Sequence, residues 1–285
     1  MKTFWLLLRE TYSEWSTNKA PRLAAALSYY TLFAMAPLLV IVIQIGALLI
    51  GGGDPAGHHK ELTQVMESYL QSSLGPAAAK TVGDLVEATV AKQAQGIVSA
   101  TLGWMMMLLA AVGLFGALKD ALNTIWDCHP PAAPRNWLKL VKERFVSFSL
   151  IAGIALLLLL SLASSAILAA LDNWLPMGHQ VLQAFNLVVA LGLATLLFAF
   201  VFKYLPDLYI RWTDVWTGAI LTTVLFALGQ LFLSLYLSRF AATSTFGAAG
   251  SLVVLMVWVY YQAQILLFGA EFTRVYANRL GSRHS

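Results

Sequence analysis

The segment VLQAFNLVVALGLATLLFAFVFKY, residues 181–204, contains no charged side chain before Lys203. As an α-helix that rises about 1.5 Å per residue, it would be about 36 Å long, enough to cross a hydrocarbon layer about 30 Å thick. A helix that is apolar on every side is stable only where protein or lipid surrounds it. The segment therefore predicts a transmembrane helix.

Five further segments share this character, and none of the six carries a charge near its middle. We predict an all-α fold, a polytopic bundle of six transmembrane helices that forms a membrane domain over 23–285. The predicted spans are 23–50, 97–118, 148–171, 181–204, 215–237 and 250–273.

The composition of the whole chain agrees with this prediction. Of the 285 residues, 59% are hydrophobic and 11% are charged, whereas soluble domains carry about 25% charged residues. Such a chain has too few charges to cover a water-exposed surface, so lipid must take the place of the polar coat. The single cysteine, Cys128, excludes an internal disulfide and a paired-cysteine zinc or redox site.

The basic residues predict the orientation of the chain in the membrane. Of the 18 Lys and Arg residues, 14 lie before span 1, between spans 2 and 3, from the last turn of span 4 to the start of span 5, or after span 6. The positive-inside rule therefore puts both termini in the cytoplasm. The net charge of +4 is explained by this topology, and we expect membrane lipids rather than nucleic acid as partners. The sequence leaves the protein partners and the oligomeric state open, including a homo-oligomer.

Two segments outside the spans carry amphipathic patterns. In region 1–22, Trp5, Leu8 and Tyr12 share a face opposite charged residues, which predicts a cytoplasmic helix at the membrane interface; the alternative is an exposed soluble helix. The loop 51–96 has two one-sided apolar patterns around Gly75-Pro76, which predict an external helical hairpin. The hairpin is either a lid over a cavity or, as we favour, a packing cap.

Motifs for several kinds of chemistry are absent from the sequence. There is no phosphate-binding GxxxxGK[ST] loop, no GxSxG nucleophile motif and no histidine spacing typical of a zinc site. A hydrolase or nuclease needs acids or metal ligands gathered in one place. We therefore expect no enzymatic activity, no catalytic residues, no metal site and no cofactor.

Polar residues inside the spans are the candidate functional positions, because they are costly in lipid. Pro37 would kink span 1 and can open a polar pocket or hinge. The polar residues of the spans can either line a polar cavity or form hydrogen bonds between helices, and the sequence favours neither. The same two alternatives apply to the stripe Thr223, Gln230 and Ser234 of span 5. The candidate cavity or transport residues are Tyr30, Pro37, Gln44, Gln230, Gln264 and Glu271.

Glu271 is the deepest acid of the spans, and Arg274 follows it at salt-bridge spacing. The pair is either a substrate or proton contact near the cytoplasmic mouth or, as we favour, an ion pair that anchors span 6. A second set of residues consists of candidate contacts to anionic headgroups or the membrane interface. For the cluster Lys139, Lys142 and Arg144, membrane topology alone is the favoured explanation. The candidate headgroup and interface residues are Arg22, Lys119, Asp120, Lys139, Lys142 and Arg144.

Three stretches of the chain resemble a known family. They are RLAAALSYYTLFAMAPLL at 22–39, GLFGALKDALNTIWD at 113–127 and GAAGSLVVLMVWVYYQAQILLFGAE at 247–271, and KYLPD at 203–207 is a fourth. These stretches are similar to the YihY / virulence factor BrkB family of bacterial inner-membrane proteins. The resemblance implies a six-span bundle and names no substrate. The family's frequent label of ribonuclease BN conflicts with the missing catalytic site in this sequence.

The expected function is therefore a transporter or flippase-like protein, not driven by ATP, for an envelope lipid or another amphipathic molecule. The alternative is a structural or scaffolding protein that maintains the envelope, and a membrane-associated ribonuclease is the least favoured. A multi-pass location in the bacterial inner membrane is expected in each case, and the family name adds an expected link to virulence.

Overall fold

The computed structural model describes residues 2–34, 83, 97–128, 179–240 and 247–282. Within these residues there are six helices and no strand. Residues 35–50, the third predicted span and, apart from residue 83, the predicted hairpin of 51–96 lie outside the described residues. The helices are α1 Lys2–Thr17, α2 over 20–34, α3 Ile97–Ile125, α4 His179–Tyr204, α5 Trp212–Phe240 and α6 Gly247–Arg279.

Two helical segments of the described chain are long and apolar enough to cross a membrane, Leu187–Tyr204 in α4 and Trp212–Phe232 in α5. Only 22% of the first segment and 33% of the second are buried by the protein. Along α5, Ile220, Val224 and Leu228 are at least half exposed at four-residue spacing. A core helix of a soluble protein would bury these side chains, so the exposed faces fit a lipid environment. The prediction of an all-helical fold is confirmed, and the number of six spans stays a prediction.

The chain divides into two compact units. The first consists of Met1–Ala20, Lys119–Ala227 and Leu266–Ser285, and the second of Pro21–Leu118 and Leu228–Ile265.

In the first unit, α1 packs on α6 through one side only. Leu7 of α1 is buried against Phe272 and Val275 of α6, and Phe4 places its ring edge-on to Phe272, with centroids 6.3 Å apart. The opposite side of α1 leaves apolar side chains in the open, and Trp5 is 71% exposed. This distribution is typical of a helix that lies between a protein and a membrane surface.

Helices α5 and α6 approach each other through two reciprocal glycine–threonine contacts. A Cβ atom on Gly218 would overlap the Thr273 hydroxyl, and one on Gly269 would overlap the Thr222 hydroxyl. Each threonine donates its hydroxyl hydrogen bond over 2.7 Å to a carbonyl of its own helix, Thr222 to Gly218 and Thr273 to Gly269. The contact therefore buries two hydroxyls that are already hydrogen-bonded, and only glycine leaves room for them.

Left-handed residues end two of the helices. Lys19, with φ 54°, follows α1, and α2 begins one residue later, with Pro21 in its first turn. Asp127, with φ 49°, follows α3, where the amides of Asp127 and Cys128 donate to the carbonyls of Thr124 and Asn123. This is the hydrogen-bond pattern of a Schellman cap. It stops α3 and fixes the position of the Asp127 carboxylate.

In the second unit, the Tyr30 ring of α2 lies against α3 at Gly113, where an added Cβ would come within 3.3 Å of the ring. Gly229 of α5 makes a closer contact with α6: an added Cβ would lie 2.7 Å from Ile265 and 2.8 Å from Tyr261. Glycines thus allow close helix packing in this unit as well.

Candidate functional site

The first unit contains a polar cluster that we call the polar junction, formed by Glu14, Asn18, Asp127, Glu271 and Arg274. Three elements supply these residues: α1 and the turn after it, the cap of α3, and α6. On α6, Glu271 and Arg274 are three residues apart and therefore lie one turn apart on one side of the helix. The ion pair predicted between these two residues is present, and the other three members extend it.

Glu271 is fully buried. Its Oε1 atom accepts a hydrogen bond of 2.6 Å from Nδ2 of Asn18, and its Oε2 atom lies 3.3 Å from Nε of Arg274. A carboxylate buried without such partners would carry a large desolvation cost. Only the Asn18 contact is a hydrogen bond, because Oε2 and the Arg274 Nε atom form an ion pair without hydrogen-bond geometry. The Asn18 contact ties the turn after α1 to α6.

Arg274 is 8% exposed and binds three carboxylates. Its Nη1 atom lies 2.7 Å from Oδ2 of Asp127, its Nη2 atom contacts Oε2 of Glu14, and its Nε atom faces Glu271. The guanidinium has five N–H donors in a planar fork and can serve several acceptors at once. A single buried cation therefore connects three separate parts of the chain.

A second polar contact joins the end of α3 to the turn between α4 and α5. Lys119 places its Nζ atom 2.9 Å from Oδ1 of Asp207. Asn123 donates from Nδ2 to Oδ2 of Asp207 and accepts from the backbone amide of Asp207, both over 2.9 Å. The carboxylate and the amide of Asp207 are thus both paired, which fixes this turn against α3.

The predicted headgroup residues have different environments in the structure. Lys119 is paired with Asp207, whereas Arg22 and Asp120 are exposed. Lys139, Lys142 and Arg144 lie outside the described residues.

Three predicted cavity residues, Tyr30, Gln230 and Gln264, belong to the second unit, and each is partly exposed. Glu271 belongs to the first unit, and Pro37 and Gln44 lie outside the described residues. One residue of the polar stripe of span 5, Thr223, forms a hydrogen bond between helices, because its hydroxyl lies 3.0 Å from the hydroxyl of Thr195 in α4.

Buried amide groups on α6 have no hydrogen-bond partner among the described residues. They are Oε1 of Gln264 and both terminal atoms of Gln262, together with the indole Nε1 of Trp258. Buried polar atoms are nearly always hydrogen-bonded to protein, water or ligand. Trp258 and Gln262 lie on one side of α6, whereas Gln264, two residues further on, lies on the opposite side. These atoms therefore mark two places in the second unit where a further polar group would be stabilised.

In the part of the chain that the structure describes, no three His, Cys, Asp or Glu side chains gather in a geometry that could hold a metal ion. The three carboxylates of the polar junction instead surround Arg274. Comparison with known proteins gives the chain its family, since the model described as virulence factor BrkB matches residues 11–285. The chain belongs to the virulence factor BrkB family.

Curated relatives of this BrkB-family chain carry the name UPF0761 membrane protein. The one from Tolumonas auensis is 25% identical over 90% of this chain and 80% of its own length, and the one from Actinobacillus pleuropneumoniae is 26% identical over 94% and 92%. A relative from Albidiferax ferrireducens is 28% identical over 92% of this chain but only 59% of its own length. No solved structure matches the chain. The BrkB-family chain is therefore a membrane protein.

Sequence reasoning found only part of the polar junction in this BrkB-family protein. The Glu271–Arg274 pair is local, and its spacing is visible in the sequence. Glu14 and Asn18 are 260 and 253 residues away from their partners, so no spacing rule could connect them. Gln262 was also missed, although it lies four residues after Trp258 and so shares its side of α6.

Proposed function

We propose that this BrkB-family membrane protein is a transporter or flippase-like protein, without enzymatic activity, that moves an envelope lipid or another amphipathic molecule. With no phosphate-binding loop in its sequence, it would work by a gradient or by passive exchange. We further propose a bacterial inner-membrane location with both termini in the cytoplasm, from the distribution of Lys and Arg residues.

The observation that supports transport is the set of buried amide atoms of Gln262 and Gln264 on α6 that have no hydrogen-bond partner in the described part of the chain. Amide groups in a membrane helix are retained where they meet a polar partner, because the same atoms facing lipid would be costly. An amide can both donate and accept, so it suits the ester, phosphate or hydroxyl groups of an amphipathic solute. Tyr30 and Gln230 belong to the same unit and are further candidates for contact with the solute.

The test is reconstitution of the purified protein into liposomes that contain a fluorescent phospholipid, with and without a proton gradient. The intact protein should accelerate movement of the labelled lipid between leaflets. The double variant Gln262→Leu/Gln264→Leu should slow that movement about tenfold, because it removes the polar partners of the solute.

A matched control is Thr217→Val, which removes an exposed hydroxyl that bonds only within its own helix. Its rate should stay within about twofold of the intact protein. Liposomes in which the intact protein moves neither labelled lipid nor labelled metabolite, under either condition, would contradict the proposal.

One observation favours the alternative of a structural or scaffolding protein. Glu271, a candidate transport residue, accepts a hydrogen bond from Asn18 with one carboxylate oxygen and forms an ion pair with Arg274 through the other. A scaffold would show a stable protein partner on crosslinking, and its cellular role would be indifferent to Gln264→Leu. Transport would instead show sensitivity to that change.

A further inference from the structure

The first unit contains a cavity of about 520 Å³, open to the surface, between α1 and the end of α6. Its lining combines charged and hydroxyl side chains with leucines, among them Arg9, Glu10, Ser13, Arg279, Leu6 and Leu280. None of these residues belongs to the polar junction or to the unpartnered amides of α6. The cavity is therefore a separate feature of the molecule.

The two arginines of this cavity have donors to spare. Arg279 pairs with Glu10 through Nε, at 2.8 Å, and Nη2, at 3.1 Å. A guanidinium has five N–H groups, so this contact leaves three of them for another acceptor. The side chain of Arg9, which is exposed, forms neither an ion pair nor a hydrogen bond with any other described residue. Two arginines against one glutamate leave the lining with a formal charge of +1.

The surroundings of the cavity are apolar on the side of α1. Leu6 is 61% exposed, and its neighbour Trp5 is exposed still further. A ligand that fits here must offer oxygen acceptors with negative charge to the arginines and hydrocarbon to the exposed side chains. Arginine is well suited to phosphate, which accepts several of its N–H groups at once.

We propose that this cavity binds the phosphate headgroup of an anionic phospholipid, with Arg9 and Arg279 as the donors to phosphate and the acyl chains against Leu6 and Trp5. The site would tie α1 to the membrane surface at the end of α6. It does not depend on transport activity, because lipid binding at this position can be measured without any movement of solute.

The test is native mass spectrometry of the detergent-purified full-length protein, titrated with dioleoyl phosphatidylglycerol and, in parallel, with dioleoyl phosphatidylcholine. The intact protein should bind the anionic lipid more tightly. Arg9→Gln should weaken binding of the first phosphatidylglycerol about tenfold, as expected for loss of a charge-assisted hydrogen bond. Leu280→Trp, which fills the cavity without changing its charge, should weaken binding as well.

Arg211→Gln is the matched control, because Arg211 is another exposed arginine of the same unit and does not line the cavity. This variant should change binding less than about twofold. If Arg9→Gln and Arg211→Gln weakened phosphatidylglycerol binding equally, general surface charge would explain the binding, and the proposed site would be wrong. Equal binding of the two lipids by the intact protein would also overturn the site. Inorganic phosphate that binds as tightly as phosphatidylglycerol would overturn the assignment to a lipid.

Discussion

Arg274 is the residue on which the polar junction depends. Its three carboxylate partners differ in their access to water: the side chain of Glu14 is 41% exposed and that of Asp127 is 71% exposed, whereas Glu271 is fully buried. The first two can be hydrated when the cation is lost. Glu271 cannot, so the energetic importance of Arg274 lies mainly in its pairing with this one carboxylate.

Substitutions in this pair should therefore have unequal effects. Arg274→Gln should lower the free energy of unfolding by about 3–5 kcal/mol, because it leaves the Glu271 carboxylate buried without a cation. Glu271→Gln should lower it by only about 1 kcal/mol, since Arg274 keeps its two other carboxylates and Asn18 keeps an acceptor. Denaturation by sodium dodecyl sulfate in mixed micelles would give both values.

The double variant Arg274→Gln/Glu271→Gln provides the control for this asymmetry. It should recover most of the stability lost in Arg274→Gln, because the buried charge has been removed along with its partner. An Arg274→Gln variant that is no less stable than Glu271→Gln would contradict the prediction.

Among the glycine contacts of the described helices, those between α5 and α6 leave the least room for an added Cβ atom. Gly218 and Gly269 face Thr273 and Thr222 in opposite order, as expected for two antiparallel helices with the same glycine-to-threonine spacing of four residues. Without a hydrophobic driving force in lipid, helices associate through close packing of this kind. The pair therefore sets how near the two helix backbones can approach.

An alanine at either glycine should destabilise the protein. Gly218→Ala would place its Cβ 2.8 Å from the Cβ of Thr273, and Gly269→Ala would place it 2.9 Å from the Cβ of Thr222. Such overpacking costs about 1–3 kcal/mol, which outweighs the helix-propensity gain of up to about 1 kcal/mol. The midpoint of thermal unfolding in detergent should fall for both variants.

Gly192→Ala is the control within α4, because an added Cβ there meets nothing within 4 Å. Its unfolding midpoint should stay constant or rise, since only the propensity gain remains. A fall as large as that of Gly218→Ala would mean that packing against threonine is not the cause.

At this scale the sequence predicts elements better than it predicts their contacts. The apolar runs located helices at α3 to α6, although α3 continues to Ile125, beyond the predicted span 97–118. The glycine-to-threonine spacing, repeated in α5 and α6, was a visible signal for their contact. Asp127 gave no such signal, because its position depends on a left-handed cap and its partner is 147 residues away.

For the whole molecule, the described helices and the positions of the charges support one another. Exposed apolar faces on α4 and α5 fit lipid, while the polar junction and the Lys119–Asp207 contact lie in the unit that contains α1. Basic residues that predict a cytoplasmic side lie in or at the ends of the described helices. They are Arg9 in α1, Lys203 at the end of α4 and Arg279 at the end of α6. Orientation in the membrane is thus a prediction with a direct test.

Cysteine accessibility would measure this orientation, because Cys128 is the only cysteine of the chain. In a Cys128→Ser background, Ser16→Cys in α1 should react with a membrane-impermeant maleimide only after the cells are permeabilised. Ser72→Cys, in the predicted external loop 51–96, should react in intact cells. The reason is the excess of Lys and Arg in the segments predicted to be cytoplasmic, which resist translocation across the membrane. Labelling of Ser16→Cys in intact cells, with Ser72→Cys protected, would reverse the topology and place the proposed lipid site of Arg9 and Arg279 on the opposite leaflet.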